Sequence, residues 1–136
     1  MPQTSRLDRG LSRKQRLKSA KLLQETFEQN RRFAGRLMIM WLRNGTDASL
    51  RLGVVAGRSI GGAVQRNRAK RRLRELFRLH RHRLRGGCDV VLMARGKLGK
   101  ASWDEARAEL ISLAARADIL AGNESQERAL PPKKIT

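Results

Sequence analysis

"RNRAKRRLRELFRLHRHRLR", residues 66–85, carries ten Lys or Arg residues and one acid, Glu75. No Pro or Gly interrupts it, so it reads as one helix. At about 100° per residue, Ala69, Leu73, Leu76, Phe77, His80 and Leu84 share one arc that would pack on a neighbouring layer. Asn67, Arg71, Arg74, Arg78, Arg81 and Arg85 recur as a stripe off that arc, flanked by Arg68 and Arg72. Solvated helix faces usually mix signs, because like charges at i, i+4 cost roughly a few tenths of a kcal/mol each. A stripe of one sign therefore predicts a partner of the other sign. Arginine also favours phosphate, since its planar fork binds bidentately and stacks on bases. Arg66 projects onto the apolar side at the expected helix start. A charge is not buried there unpaired, so the first turn is expected to overhang the sheet edge and present Arg66, Asn67 and Arg68 as a cluster.

Working outward, Gly86-Gly87 is expected to stop this helix, and the glycine-punctuated loop "GRSIGG" (57–62) leads into it. "CDVVLMARG" reads as a buried strand, followed by a loop from Gly96 to Lys100. "SWDEARAELISLAARADIL" starts with a capping box, Ser102 with Glu105, and repeats apolar residues at helical spacing. Upstream, Ser19 is the expected N-cap of a helix that ends near Asn30. "RRFAGRLMIMWLRNG" holds the apolar run Leu37 to Leu42 and ends in the turn pair Asn44-Gly45. "ASLRLGVVAG" alternates as a second strand, and the two are expected to pair as a hairpin.

The order α-β-β-α-β-α predicts a single α+β domain: a small mixed sheet of three to four strands with helices packed on it. The domain is expected over residues 19–121. Residues 1–18 read as a flexible basic arm and residues 122–136 as a disordered tail.

The chain has 136 residues, 31 basic and 12 acidic, for a net charge of +19. Charge of that size opposes compaction and favours a polyanionic partner. Aromatics are few and scattered, which disfavours a membrane-surface helix, and no apolar run is long enough to span a bilayer. Met1 to Gly10 is polar and charged, so no secretory signal is expected. The single cysteine, Cys88, cannot form an intrachain disulfide and fits a reducing cytoplasm. No zipper, finger or two-helix turn motif suggests a DNA reader, whereas RNA read by shape and backbone needs only a basic surface. Asp47, Asp89, Asp104 and Glu105 are dispersed, His80 lies in the core arc and His82 on the basic face. No catalytic residue and no metal site is expected in the protein itself.

The run "RNRAKRRLRELFRLHRHRL" resembles the hallmark helix of the protein subunit of bacterial ribonuclease P. "RRFAGR", "RLGVVAG" with "IGGAVQRNR", and "DVVLMARG" before the Ser-Trp helix start extend the likeness over about residues 10–120. The resemblance implies a fold like domain 2 of ribosomal protein S5, with a left-handed strand–helix–strand crossover. It implies that a catalytic RNA, working with Mg²⁺ bound mainly by that RNA, removes the 5′ leader of precursor tRNA. Arg66, Asn67, Arg68, Lys70, Arg71, Arg72, Arg74 and Arg78 would face the catalytic RNA. Leu23 and Phe27 would line a leader cleft with Phe33, Arg36 and Trp41 near its floor, and Arg58 beside it. The partners implied are ribonuclease P RNA and precursor tRNA; from the sequence itself no membrane contact and no stable homo-oligomer are expected. The chain departs from the family pattern at Leu23, where an aromatic is frequent, and at Ser59 and Gly62, where lysine and asparagine are usual. A structural RNA-binding protein, such as a small ribosomal protein, would explain the stripe but not the cleft.

Overall fold

The two most apolar segments become the two central strands. In the computed structural model, which describes residues 13–121, β2 (Met38–Asn44) pairs antiparallel with β4 (Cys88–Ala94) along its full length, from Met38↔Ala94 to Asn44↔Cys88. β4 is buried at every residue except the half-buried Met93, as a strand covered on both faces must be. β1 (Arg31–Ala34) flanks β2, and β3 (Leu52–Val55) runs parallel to β4, giving the order β1-β2-β4-β3.

The hairpin expected between residues 37–42 and 50–55 does not form: β4 lies between β2 and β3. Two features redirect the chain. "RRFA" is a strand of its own and occupies β2's outer edge. The segment after β2 is drawn to the start of β4, where Ser49 N–H and Arg51 N–H donate to Asp89 Oδ1 at 3.2 and 2.9 Å, and Leu50 N–H donates to the Cys88 carbonyl at 2.7 Å. Leu50 takes φ +61° to make that bend.

Among the described residues, three α-helices cover the sheet. α1 (Ala20–Gln29) is capped by Ser19, whose Oγ accepts from Leu22 N–H at 3.3 Å, and it closes at Asn30 with φ +54°. Its end is tied to β2 by the Gln29 amide, which donates to the Asn44 carbonyl at 2.8 Å and accepts from Asn44 N–H at 2.7 Å. α2 spans Ala63–His80 and α3 spans Trp103–Arg116. The α3 capping box is present: Glu105 N–H donates to Ser102 Oγ at 3.0 Å and Ser102 N–H to Glu105 Oε1 at 2.8 Å. The main core lies between the sheet, α2 and α3, around Phe77, Met38, Met40, Leu92, Leu110 and Leu113.

α2 differs from expectation at both ends. It begins at Ala63, with Gly61 at φ +136° and Gly62 N–H donating to Gln65 Oε1 at 3.1 Å. It stops at His80, whose Nδ1 lies 2.8 Å from the Leu76 carbonyl. Arg81–Arg83 form one 3-10 turn, and Leu84 then extends to bridge Leu120. The glycine pair serves the next turn instead, with Gly87 at φ +91° leading into β4. The arm expected over residues 1–18 is docked at its described end: Leu17 is buried and its N–H donates to the Leu52 carbonyl at 2.8 Å, with Arg16 bridging the β3 edge. The rest of that arm, and the tail expected from residue 122, lie outside the described residues.

Candidate RNA-binding surface

Eighteen residues of α2 put their apolar arc on the sheet and leave the cations outside. Asn67, Arg68, Arg71 and Arg74 are exposed, and Arg66, Lys70, Arg72 and Arg78 are half-buried. Because the helix starts at Ala63, Arg66 sits a turn inside it and not at an overhanging first turn. Its Nη1 folds back to donate to the Gly61 carbonyl at 3.0 Å. The stripe also ends early. Arg81 lies beyond the helix with its Nη2 3.4 Å from the Ser49 and Leu50 carbonyls, and Arg85 pairs with Asp118 at 3.2 Å. Arg78 is bound by Glu75 on the same helix. Burial, together with the nearby cations Arg16 and Arg71, pushes the Arg74 guanidinium down from its ordinary range. Arg16, Arg71 and Arg74 thus crowd one another, and Glu75, already paired with Arg78, is the single acid of the helix.

Arg72 stands apart. Its Nη1 donates to the Leu98 carbonyl at 2.6 Å and its Nη2 to the Ala101 carbonyl at 2.5 Å. It clamps the turn Gly96–Lys100 onto α2. Arg72→Ala is therefore expected to lower the thermal midpoint while leaving the salt dependence of RNA binding unchanged. Arg71→Ala is expected to reduce the slope of log K against log salt by about one unit and leave the midpoint alone. Melting curves and salt titrations of the two variants separate these effects.

The second region lies on the other side of the sheet. Paired residues share a face and neighbours alternate. Arg32, Trp41 and Val91 therefore point one way, toward α1, and Phe33, Met40 and Leu92 point the other way. Phe27 on α1 meets Trp41 edge-on, ring centres 4.9 Å apart at 82°. The Arg32 guanidinium lies 5.7 Å from the Trp41 ring centre. Leu23 packs over Gly53, where a Cβ would come within 3.1 Å of its Cδ2. The Trp41 indole N–H is buried and has no acceptor among the described residues. Leu23, Phe27 and Trp41 are thus brought together, but Phe33 is not: it packs against the core on the opposite face. Arg58 is exposed in the 3-10 turn that follows β3.

Arg36 is exposed in the loop between β1 and β2. It lines a cleft of about 400 Å³ with Arg95 and Lys97. Arg95 also lines a neighbouring cleft of about 300 Å³ with Gln65, Arg68 and Arg72. Arg95 therefore joins the α2 face to the β1–β2 loop. Sequence reasoning missed it because it follows β4 as one isolated cation, and only the sheet order places β4's end beside both elements.

The carboxylates are occupied structurally. Asp104 pairs with Arg107, Glu105 caps α3, and Asp47 pairs with Arg43. Asp89 is fully buried, and Arg43 and Arg51 both donate to it. Burial pushes its carboxyl up, yet the bonds from Arg51, Ser49 N–H and Arg43 outweigh that and hold it below the ordinary carboxylate range. Among the described residues no three His, Cys, Asp or Glu side chains converge in a way that could hold a metal ion.

The arrangement has relatives. The family model described as Ribonuclease P matches residues 11–118. The chain is 33% identical to the ribonuclease P protein component of Syntrophomonas wolfei over 114 residues, covering 83% of this chain and 95% of that protein. It is 40% identical to the ribonuclease P protein component of Symbiobacterium thermophilum over 106 residues, covering 77% and 92%. The solved RNase P protein of Thermotoga maritima superposes with a TM-score of 0.66 at 28% identity, covering 74% of this chain and 96% of that one. The RNase P protein of Staphylococcus aureus shares the fold, with a TM-score of 0.69 at 23% identity and coverage of 79% and 98%. With the matched model spanning every described strand and helix, the chain belongs to the ribonuclease P protein family.

Proposed function

We propose that this chain is the protein subunit of a ribonuclease P ribonucleoprotein, acting in the cytoplasm on precursor tRNA. The observation that carries the reading is the outer face of α2, where Arg68, Arg71 and Arg74 are exposed, Arg66 and Lys70 are half-exposed, and Glu75 is the single acid of the helix. That face binds the phosphate backbone of ribonuclease P RNA. The RNA performs the hydrolysis, and the Mg²⁺ ions that supply activated water and charge neutralisation there are bound mainly by the RNA. The protein's residues bind and orient. Phe27 and Trp41 offer apolar ring edges to a single-stranded 5′ leader, with Arg32 above Trp41 and Arg36, Arg58 and Arg95 available to its phosphates. Leu23 supplies an aliphatic wall rather than a stacking ring.

The test is reconstitution with a bacterial ribonuclease P RNA at low millimolar Mg²⁺. Cleavage of precursor tRNA is expected to rise strongly on adding the chain, and the gain is expected to shrink as the leader is shortened away. Phe27→Ala is expected to weaken precursor binding about tenfold and mature tRNA binding hardly at all, given about 1–3 kcal/mol per stacked base. Equal losses for the two would mean that Phe27 serves only the packing of α1 on Trp41. No gain in cleavage, with tight binding to other structured RNA, would move the reading to a structural RNA-binding protein.

A further inference from the structure

We infer that Glu109, on α3, is the positioning residue that fixes Arg36 for contact with precursor tRNA; this rests on the proposed leader contact of Arg36. An ordinary two-residue hairpin loop closes itself by a pair of bonds between its flanking residues. Here one bond of the pair is made, Gly35 N–H to the Met38 carbonyl at 2.9 Å. The groups of the other bond are diverted to side chains. Met38 N–H donates to Glu109 Oε2 at 2.9 Å, and the Gly35 carbonyl accepts from Arg95 Nη1 at 3.1 Å. Leu37 N–H also donates to Glu109 Oε2, at 2.7 Å, and Arg36 N–H donates to Oε1 at 3.0 Å. One carboxylate therefore accepts three successive backbone N–H groups, filling from within the chain a nest that would suit an external anion.

The backbone is shaped around this carboxylate. A Cβ at Gly35 would lie 2.4 Å from Glu109 Oε2. Arg116, also on α3, donates to the Ala34 carbonyl at 3.0 Å. Closing two antiparallel strands needs none of this. What the contacts add is a fixed direction for Arg36 at the mouth of the cleft it shares with Arg95 and Lys97. Those three cations repel one another, so a loop free to move would swing Arg36 away from them. Held by Glu109, Arg36 stays where a phosphate can meet it together with Arg95.

The experiment measures the dissociation constants of precursor and mature tRNA for the reconstituted ribonucleoprotein carrying the full chain, Arg36→Ala, Glu109→Gln, or both changes. The Gln side chain keeps the size but turns an N–H toward one of the three donors. Each single change is expected to lower the preference for precursor about five- to tenfold, the scale of one ordinary net hydrogen bond. The double change is expected to do no more than Arg36→Ala alone, because both remove the same contact. Gly35→Ala, which expels the carboxylate by another route, is expected to match Glu109→Gln and is the replacement variant if the latter fails to fold. A loss with Arg36→Ala but none with Glu109→Gln or Gly35→Ala would overturn the positioning role and leave the leader contact standing. Multiplying losses in the double variant would also overturn it, by showing that Glu109 acts elsewhere. No loss with Arg36→Ala would overturn the leader contact and the inference with it.

Discussion

Asp89→Asn is expected to remove about 3–5 kcal/mol of folding stability, the usual effect of breaking a buried charge pair by deleting one partner. Asp89 is wholly buried and accepts five hydrogen bonds, three from the Arg43 and Arg51 guanidiniums and two from the backbone of Ser49 and Arg51. An asparagine there offers one acceptor oxygen and faces a guanidinium with its own N–H₂. Arg43, only 4% exposed, would keep Glu25 and Asp47 but lose its buried counter-charge. The damage is local to the place where residues 47–51 are drawn to β4, so the strand order itself loosens. For a domain of this size the midpoint is expected to fall by roughly 10–20 °C. The acid limb follows from the same carboxylate. Its folded-state value lies below the ordinary one of about 3.9, so its contribution is complete above that value and is lost as pH falls through the folded-state value. The native chain is expected to lose stability steeply below about pH 4, and the Asn variant, already without this term, to show a flatter limb there. Urea midpoints of both proteins, at neutral pH and down the acid limb, measure both effects. A loss under about 1 kcal/mol at neutral pH would show that the network is not what holds this corner together.

Raising salt from about 50 to 200 mM is expected to weaken binding to ribonuclease P RNA by roughly a hundred- to five-hundredfold. The figure follows from which α2 cations have no carboxylate partner among the described residues. Arg66, Arg68, Lys70, Arg71 and Arg74 are available on α2, whereas Arg72 is spent on two carbonyls and Arg78 on Glu75. Each phosphate met contributes about −0.7 to −0.9 to the slope of log K against log salt. Five contacts give a slope near −4; all seven cations read from the sequence, with Arg72 and Arg78 counted, would give one of about −5 to −6. The titration therefore distinguishes the folded arrangement from the sequence stripe. A flat response would remove the electrostatic interface altogether.

Much of this was legible in the residues, and what was not has definite causes. Ser19 and the Ser102–Glu105 pair declared two helix starts because caps are local chemistry. The apolar run of β4 declared a strand buried on both faces. The pairing of strands was not legible: Asp89 decides it, and a lone aspartate opening a strand gives no sign that two arginines and two backbone amides will converge on it. The end of α2 misled for a similar reason. Leu84 fits the helical arc as well as it fits the bridge to Leu120, and only the tertiary partner chooses between them. Phe33, placed at the cleft floor by resemblance alone, lies on the core face, because "RRFAGRLMIMW" hides a two-strand turn that sets Phe33 opposite Met40 and not Trp41. The role of Glu109 lies more than seventy residues from the loop it organises.

The strand order has a consequence for the birth of the protein. β4 is the last of the four described strands to leave the ribosome, yet it belongs in the middle of the sheet. Its pairing with β2 joins residues roughly fifty positions apart, and its parallel pairing with β3 must wait for all of α2. Before β4 arrives, β1 and β2 form only an isolated two-stranded ribbon, which is marginal in water. At about 5–20 residues per second, the nascent chain spends seconds with its arginine-rich segment synthesised and nothing to pack it against. Folding is therefore a late and largely all-or-none event, set by long-range contacts rather than by the helix that dominates the sequence.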